Sequence, residues 1–271
     1  MTQPFALVAT LHDPEAAVLP FLDREDVTGA LRWYPHVCVA ATVATDARVT
    51  KRLEKLGVRV VEGGTTGVSR RAALEAIAPD LGSNNIDFDR WLHWLMSWPD
   101  ELANLSSRIE RVAARQKVTP WCVLLGRTAR AFATHPQVQR LPETATNRTL
   151  SLTAGTSLDA VAGAVWLSAE GRQLVLASSV EESAATDLEW AGLVLRRDPV
   201  RLIGLRFEGL EWETPDFHTA AIATAGGREQ WIRETFDTPD MWTARLQLAA
   251  ASVSALQRVL GETTPDLRQS V

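Results

Sequence analysis

Four short apolar runs, separated by stretches of helical character, constrain this chain most. Phe5-Ala6-Leu7-Val8-Ala9-Thr10, Val37-Cys38-Val39-Ala40-Ala41-Thr42-Val43, Val58-Arg59-Val60-Val61-Glu62 and Asn85-Ile86-Asp87-Phe88-Asp89 each read as a buried strand. Between them, Pro14–Leu22 reads as a short helix with the proline in its first turn. Asp46–Leu56 is expected to be helical, with Val49, Leu53 and Leu56 on one face and Gly57 as its stop. Val68–Ala78 is a third helix, ended by Pro79. Strands alternating with helices at these spacings imply βαβ units and a parallel sheet. Ligands of such open sheets bind beyond the carboxyl ends of the strands.

Three polar features fall at those ends. Asp13 follows the first strand, Gly63-Gly64-Thr65-Thr66-Gly67 follows the third, and the fourth finishes in Asp87-Phe88-Asp89. Residues two apart in a strand project to the same side. Asp87 and Asp89 are therefore expected side by side, with Phe88 turned into the fold. Paired carboxylates repel unless a positive charge separates them. A divalent cation held this way can grip a diphosphate. The competing reading is that the pair caps the Trp91 helix, where carboxylates complement the helix dipole by about 0.3–1 kcal/mol. The glycine loop precedes a helix bearing Arg70 and Arg71, an arrangement suited to phosphate or equally to an ordinary turn. It is not a Walker A loop, because no Lys-Ser/Thr follows at the required spacing.

Bulk properties bound the partners. A chain of 271 residues can bury about three quarters of its unfolded surface without staples. A net charge of -5 argues against a dominant nucleic-acid surface. No run reaches the length needed to span a bilayer. The start Met1-Thr2-Gln3-Pro4 lacks the features of a signal peptide, so the cytoplasm is the expected location. Cys38 and Cys122 sit among apolar neighbours and read as small buried side chains.

The later half is less regular. Arg90–Arg115 reads as one helix or two, broken near Pro99, with Trp91, Trp94 and Trp98 on one face. Trp121–Gly126 and Val200–Phe207 read as strands, and so does Leu210–Thr214. Ala145–Ala154 and Leu158–Leu167 look like paired helical pieces, and Ala185–Leu195 like a short helix. Met241–Leu260 is an amphipathic helix, with Leu246, Ala250, Val253, Leu256 and Leu260 forming a stripe against the body or a partner subunit.

In this order of elements, with the Asp-Phe-Asp at the fourth strand, residues 1–95 resemble a GT-A glycosyltransferase. Ile86–Trp94, Leu125–Pro136 and Gly209–Thr214 are also similar to a group of uncharacterised bacterial proteins related to such enzymes. The resemblance implies an α/β, GT-A-like (Rossmann-like), mainly parallel sheet flanked by helices, with a helical C-terminal part. It implies one domain over 1–262: a nucleotide-binding half (1–95), an acceptor-side half (96–240) and a C-terminal helix (241–262), with 263–271 a flexible tail. It implies a metal-dependent transferase taking a nucleoside-diphosphate sugar, with Mg²⁺ or Mn²⁺ at Asp89 and Asp87 and an unidentified acceptor. The alternative is a degenerate member that binds ligand or partner without turnover.

The resemblance assigns Asp13 and the Asp187/Glu189 position; the other roles are read from residue chemistry. They stand beside structural alternatives, in which Arg90 pairs with a carboxylate, His93 is a structural hydrogen-bonder and the Arg127–His135 loop is simply solvated. Asp13 would contact the base, Gly64 and Arg70 the phosphates, and Arg90 the diphosphate. His93, one turn on from Arg90, is a possible acid. Arg127, Arg130 and His135 flank a strand end where an acceptor phosphate or carboxylate could dock. Asp187 and Glu189 match the position of a catalytic acid, and only one of two residues so spaced on a helix can face inward; Asp187 is favoured. Glu211 and Glu213 form a rival pair, with Glu211 carried as a second catalytic candidate.

Overall fold

The computed structural model describes residues 5–261, so the expected tail at 263–271 lies outside the described residues. Among the described residues seven strands form one sheet: β1 (Phe5–Leu11), β2 (Val37–Thr42), β3 (Arg59–Gly63), β4 (Gly82–Asp87), β5 (Cys122–Arg127), β6 (Ala164–Leu167) and β7 (Leu202–Phe207). Their order is β3-β2-β1-β4-β6-β5-β7. Only β6 runs antiparallel to its neighbours, β4 and β5. The carboxyl ends of the other strands therefore share one edge.

In the first half, α1 (Glu25–Leu31), α2 (Ala47–Lys55) and α3 (Thr66–Glu75) connect β1 through β4. After β4 come α4 (Phe88–Ser97), α5 (Pro99–Ala103) and α6 (Leu105–Gln116). Then α7 (Ala129–Ala133) and α8 (Gln137–Ala154) follow β5, and α9 (Ala169–Ser178) and α10 (Thr186–Arg197) follow β6. After β7 the chain makes the short helices α11 (Thr214–Phe217), α12 (Thr219–Thr224) and α13 (Arg228–Thr235), then the long α14 (Pro239–Leu260).

The strand residues alternate between two apolar layers, as a period of two demands. Leu7, Ala9 and Leu11 of β1 join one layer with Val39, Val123, Phe88, Trp91 and Trp94. Ala6 and Val8 join the other with Cys38, Cys122, Leu74, Val175, Leu188 and Leu256. Helices thus cover both faces, and the expected α/β architecture is observed. Both cysteines are free and buried, as expected. No helix among the described residues is long and apolar enough to cross a membrane.

Several local expectations are corrected. β4 stops at Asp87, and Phe88 and Asp89 already lie in the first turn of α4. Asp87 is the extended residue that starts the helix, so Asp87 and Asp89 do not share a strand face. Leu158–Leu167 is not helical: a loop through Gly163 (φ 64°) leads into β6. A short apolar run cannot by itself be told from a helix segment, and here backbone partners on both sides decide. Leu210–Thr214 is loop, not strand. The segment is pinned at its start because the Glu101 carboxylate accepts the N–H groups of Glu208 and Gly209 (3.1 and 2.8 Å). Between Pro14 and Leu22 only Leu19–Phe21 makes a 3-10 turn. Arg90–Arg115 spans three helices, and the break near Pro99 is as expected. Helix α8 begins at Gln137, well before Ala145. On α14, Leu246 is exposed and the buried stripe is Ser252, Ala255, Leu256 and Val259.

Packing is tightest where the loop after β7 crosses α4. A Cβ on Gly209 would lie 1.9 Å from Cδ1 of the fully buried Trp94, whose ring meets Phe207 edge-on. Gly209→Ala is expected to cost about 1–3 kcal/mol through overpacking. Chemical denaturation reads this as a lowered midpoint, and an unchanged midpoint would contradict the contact.

Candidate active site

A cleft of about 580 Å³ opens at the shared carboxyl edge. Thr10 to Asp13 enter it from the end of β1, Thr42 from β2, Gly64 from the loop after β3, and Asp87 from β4. Helices α8 and α14 supply the opposite wall, and the segment around Glu213 to His218 supplies another.

Asp87 is held from two sides. The Thr10 hydroxyl donates to its Oδ1 at 2.8 Å, a contact fixed by the β1–β4 register that pairs the two residues. Arg70 places Nη2 3.9 Å from the same oxygen. The buried Arg70 also donates through Nη1 to Asp187 Oδ1 (2.6 Å) and the Thr186 hydroxyl (2.9 Å). Gly163 faces this carboxylate: a Cβ there would lie 2.7 Å from Asp87 Oδ2. A positive φ and this approach together leave room only for glycine.

Asp89 is crowded by like charge. Burial first, then Glu213 and Asp87, push its carboxyl up to about 7. Arg90 opposes this by its charge and its N–H, which donates to Asp89 Oδ1 at 2.9 Å. The Arg90 guanidinium points elsewhere, to Glu213 Oε1 (2.8 Å) and the Ala162 carbonyl. Burial also raises Asp187, with Arg70 opposing.

The glycine loop differs from a phosphate nest. The Gly67 N–H donates to the Glu182 carbonyl at 2.7 Å, and a Cβ on Gly67 would lie 2.3 Å from the Glu181 carbonyl oxygen. Gly64 N–H donates to Ser69 Oγ at 3.0 Å. The loop amides thus serve the fold, and Arg70 is the part of this region that presents charge to the cleft. Arg71 turns away, to the Ser179 hydroxyl and the Glu181 carbonyl. Asp13 is buried at the cleft wall, where its two carboxylate oxygens accept the N–H groups of Ala17 and Val18 (2.8 and 3.0 Å). These contacts order a loop containing Ala16 at φ 58°, a conformation that non-glycine residues rarely adopt.

At the far end, Arg127 is enclosed by carboxylates. Its guanidinium donates to Asp159 (3.0 and 2.8 Å) and to Glu143 Oε2 (2.7 Å). His135 also lines the cleft; its Nδ1 lies 3.2 Å from the Ala131 carbonyl. Burial, Arg127 and Arg90 push its imidazole down to about 2, so it is neutral near neutral pH.

Of the residues expected from sequence, Asp13, Gly64, Arg70, Asp87, Asp89, Arg90, Arg127, His135 and Asp187 all line this one cleft. Glu211 does not: it lies off the cleft, held by Arg130 and by the Trp98 indole N–H (3.0 Å). Glu189 is buried elsewhere, accepting the N–H groups of Val180 and Glu181 (both 3.0 Å). Thr10, Gln139, Glu143 and Arg245 were not anticipated from sequence. Thr10 was legible in principle as the polar residue that closes the first apolar run; the others sit in helices with no distinguishing pattern.

No protein-family model matches the sequence, and no curated protein does. Solved structures share its fold. Glucosyl-3-phosphoglycerate synthase from Mycobacterium tuberculosis, in complex with Mn²⁺, uridine diphosphate and phosphoglyceric acid, superposes with a TM-score of 0.59. The match covers 97% of this chain and 80% of that one at 13% identity. Mannosyl-3-phosphoglycerate synthase from Rubrobacter xylanophilus gives a TM-score of 0.60 over 97% and 77%, at 12% identity. A complex of the mycobacterial enzyme with Mn²⁺, UDP-glucose and glycerol 3-phosphate gives 0.57 at 12% identity. The chain therefore has the GT-A-type fold of these nucleotide-sugar glycosyltransferases.

One wall of the cleft depends on a histidine outside it. His93 Nδ1 lies 2.6 Å from Asp216 Oδ2 and Nε2 lies 3.4 Å from Glu211 Oε2, joining α4 to the segment that carries Glu213. Burial opposes protonation, but hydrogen bonding and charge from Asp216, Glu213 and Glu211 raise His93 above its ordinary value of 6.5. Native His93 then binds a proton over a window where the unfolded chain does not. Its stabilisation is complete below about pH 6.5 and is lost as pH rises through the raised native value. His93→Gln should flatten this part of the pH–stability curve, measured by thermal melting from pH 5 to 9; an unaltered slope would remove His93 as its source.

Proposed function

We propose that this protein transfers a glycosyl group from a nucleoside-diphosphate sugar to an acceptor hydroxyl, with Mg²⁺ or Mn²⁺ held at Asp87 and Asp89. The observation that carries the reading is the acidic crowding at the end of β4. Asp89 is forced toward protonation by burial and by Glu213 and Asp87, inside a cleft of a size that suits a nucleotide sugar. A cation would relieve that repulsion. Gly163 keeps the Oδ2 side of Asp87 clear of a side chain.

The donor set is small. No group of three or more His, Cys, Asp or Glu side chains forms a complete metal site among the described residues. Two carboxylates suit a hard cation that keeps several waters and takes its remaining oxygens from a diphosphate. When bound, the cation would neutralise charge gathering on the departing nucleoside diphosphate. Thr10 and Arg70 fix Asp87 for this task, and Arg70 adds positive charge on the diphosphate side. The loop held by Asp13 shapes the wall expected to meet the base.

The acceptor proton needs a carboxylate of the cleft if transfer uses a general base. Asp187 faces the cleft, but Arg70 occupies its Oδ1. Glu213 keeps Oε2 buried and without a hydrogen-bond partner. Glu213 is therefore the stronger candidate, with Asp187 positioning Arg70.

Isothermal titration of UDP, GDP and their sugars with and without Mn²⁺ tests the proposal. Binding should require Mn²⁺, and Asp89→Ala should weaken it at least about tenfold. Nucleotide binding indifferent to both Mn²⁺ and Asp89→Ala would overturn the reading. Metal-dependent binding with no transfer to any hydroxyl acceptor would identify the non-catalytic alternative.

A further inference from the structure

Helix α8 presents residues to two different cavities. Gln139, Pro142, Glu143 and Thr146 line the cleft. Thr144, Asn147, Arg148, Ser151 and Leu152 line a second cavity of about 780 Å³. Steps of three and four residues place this second set on one stripe of the helix. Phe132 of α7, the loop over residues 155–159 and Arg206 of β7 complete the cavity. Arg127, at the end of β5, belongs to both walls.

The walls of the second cavity are fixed. Gly155, at φ 67°, ends α8 and turns the chain into the loop. The Ser151 hydroxyl accepts the Leu158 N–H at 3.0 Å, and Asn147 Oδ1 accepts the Ala160 N–H at 2.9 Å. The loop is thereby tied to α8 at two places. The Asp159 carboxylate is fully engaged. It accepts from the Arg127 N–H (2.8 Å), from the Arg127 guanidinium (3.0 and 2.8 Å) and from Asn147 Nδ2 (2.6 Å), and Arg206 lies 3.3 Å away.

The groups left over are of one kind. Arg148 is exposed and makes no hydrogen bond or ion pair among the described residues. No acidic residue stands three or four positions from it on α8 to neutralise it. The Thr128 hydroxyl accepts the Ala131 N–H and the Ser157 hydroxyl accepts from Arg206, which leaves the proton of each to donate. Even with Glu143 counted as the partner of Arg127, the guanidiniums of Arg127, Arg148 and Arg206 face only two carboxylates. Beside these donors lie two apolar side chains, Phe132 and Leu152, the latter with 64% of its surface exposed.

We propose that this cavity is a second binding site, separate from the cleft, for a phosphate monoester that carries a flat apolar ring. Phosphate offers three acceptor oxygens to Arg148, Arg206 and the free hydroxyls, and its charge offsets the excess of guanidinium. The ring packs against Phe132 and Leu152.

Isothermal titration of the whole chain with phenyl phosphate tests the site, with inorganic phosphate and phenol as its two halves. Phenyl phosphate should bind once per chain, about fivefold or more tighter than either half. Arg148→Ala should weaken it about tenfold, and Leu152→Asp at least about fivefold. Both side chains are exposed, so the fold should survive, which circular dichroism checks. Arg245→Ala, in the cleft, should leave the affinity unaltered, and UDP with Mn²⁺ should not displace the probe. The proposal is overturned if phenyl phosphate does not bind, if neither α8 variant alters its binding, or if inorganic phosphate binds as tightly. Loss of binding in Arg245→Ala, or displacement by UDP, overturns it equally. Failure of UDP to bind at all would count against the transferase reading alone, and the two α8 variants would still decide this site.

Discussion

The cleft is organised around the buried Arg90–Glu213 ion pair. Arg90 leaves the first turn of α4, donates to the Ala162 carbonyl ahead of β6, and meets Glu213 on the segment after β7. Three parts of the chain that are distant in sequence are thereby joined beneath one site. A pair this buried adds little net stability, but removing one partner leaves a charge stranded at a cost of about 3–5 kcal/mol. The pair also sets the potential for its neighbours, since Glu213 is the largest charge raising Asp89 after burial itself. The shape of the cleft and the acidity of its centre thus share one cause.

The two ends of the cleft have different electrostatics. At the end of β4, burial first and then Glu213 and Asp87 keep Asp89 raised against the opposing charge of Arg90. At the far end Arg127 is held by two carboxylates, and Asp159 stays lowered because Arg127 overcomes its burial. The two ends of the cleft therefore differ in how closely their charges are paired.

Much of the first half was legible because its strands are apolar and its helices are punctuated by Gly57 and Pro79. The edge that collects Asp13, Gly64, Arg70 and Asp87 followed from that alternation. The errors were local and physical. A period of two extended through Asp87-Phe88-Asp89 placed both carboxylates on one strand face, whereas the helix begins at Phe88 and the Trp-rich face of α4 buries against the sheet. The glycine loop read equally as a phosphate cradle or an ordinary turn, and the fold decides for the turn: Gly67 is glycine because the 181–182 backbone passes against it. Glu211 and Glu213 looked equivalent as a strand pair, but in a loop they diverge, one to Arg130 outside and one to Arg90 within.

By itself the sequence determined the alternating α/β plan, the burial of both cysteines and the location of the acidic centre, because each depends on short-range patterning of apolar and charged residues. Only the tertiary structure decided that β6 inserts antiparallel, that Glu213 and not Glu211 faces the cleft, and that Arg127 is already neutralised by Asp159 and Glu143. Those outcomes depend on contacts between residues far apart in the chain, where local periodicity carries no information about which charge meets which.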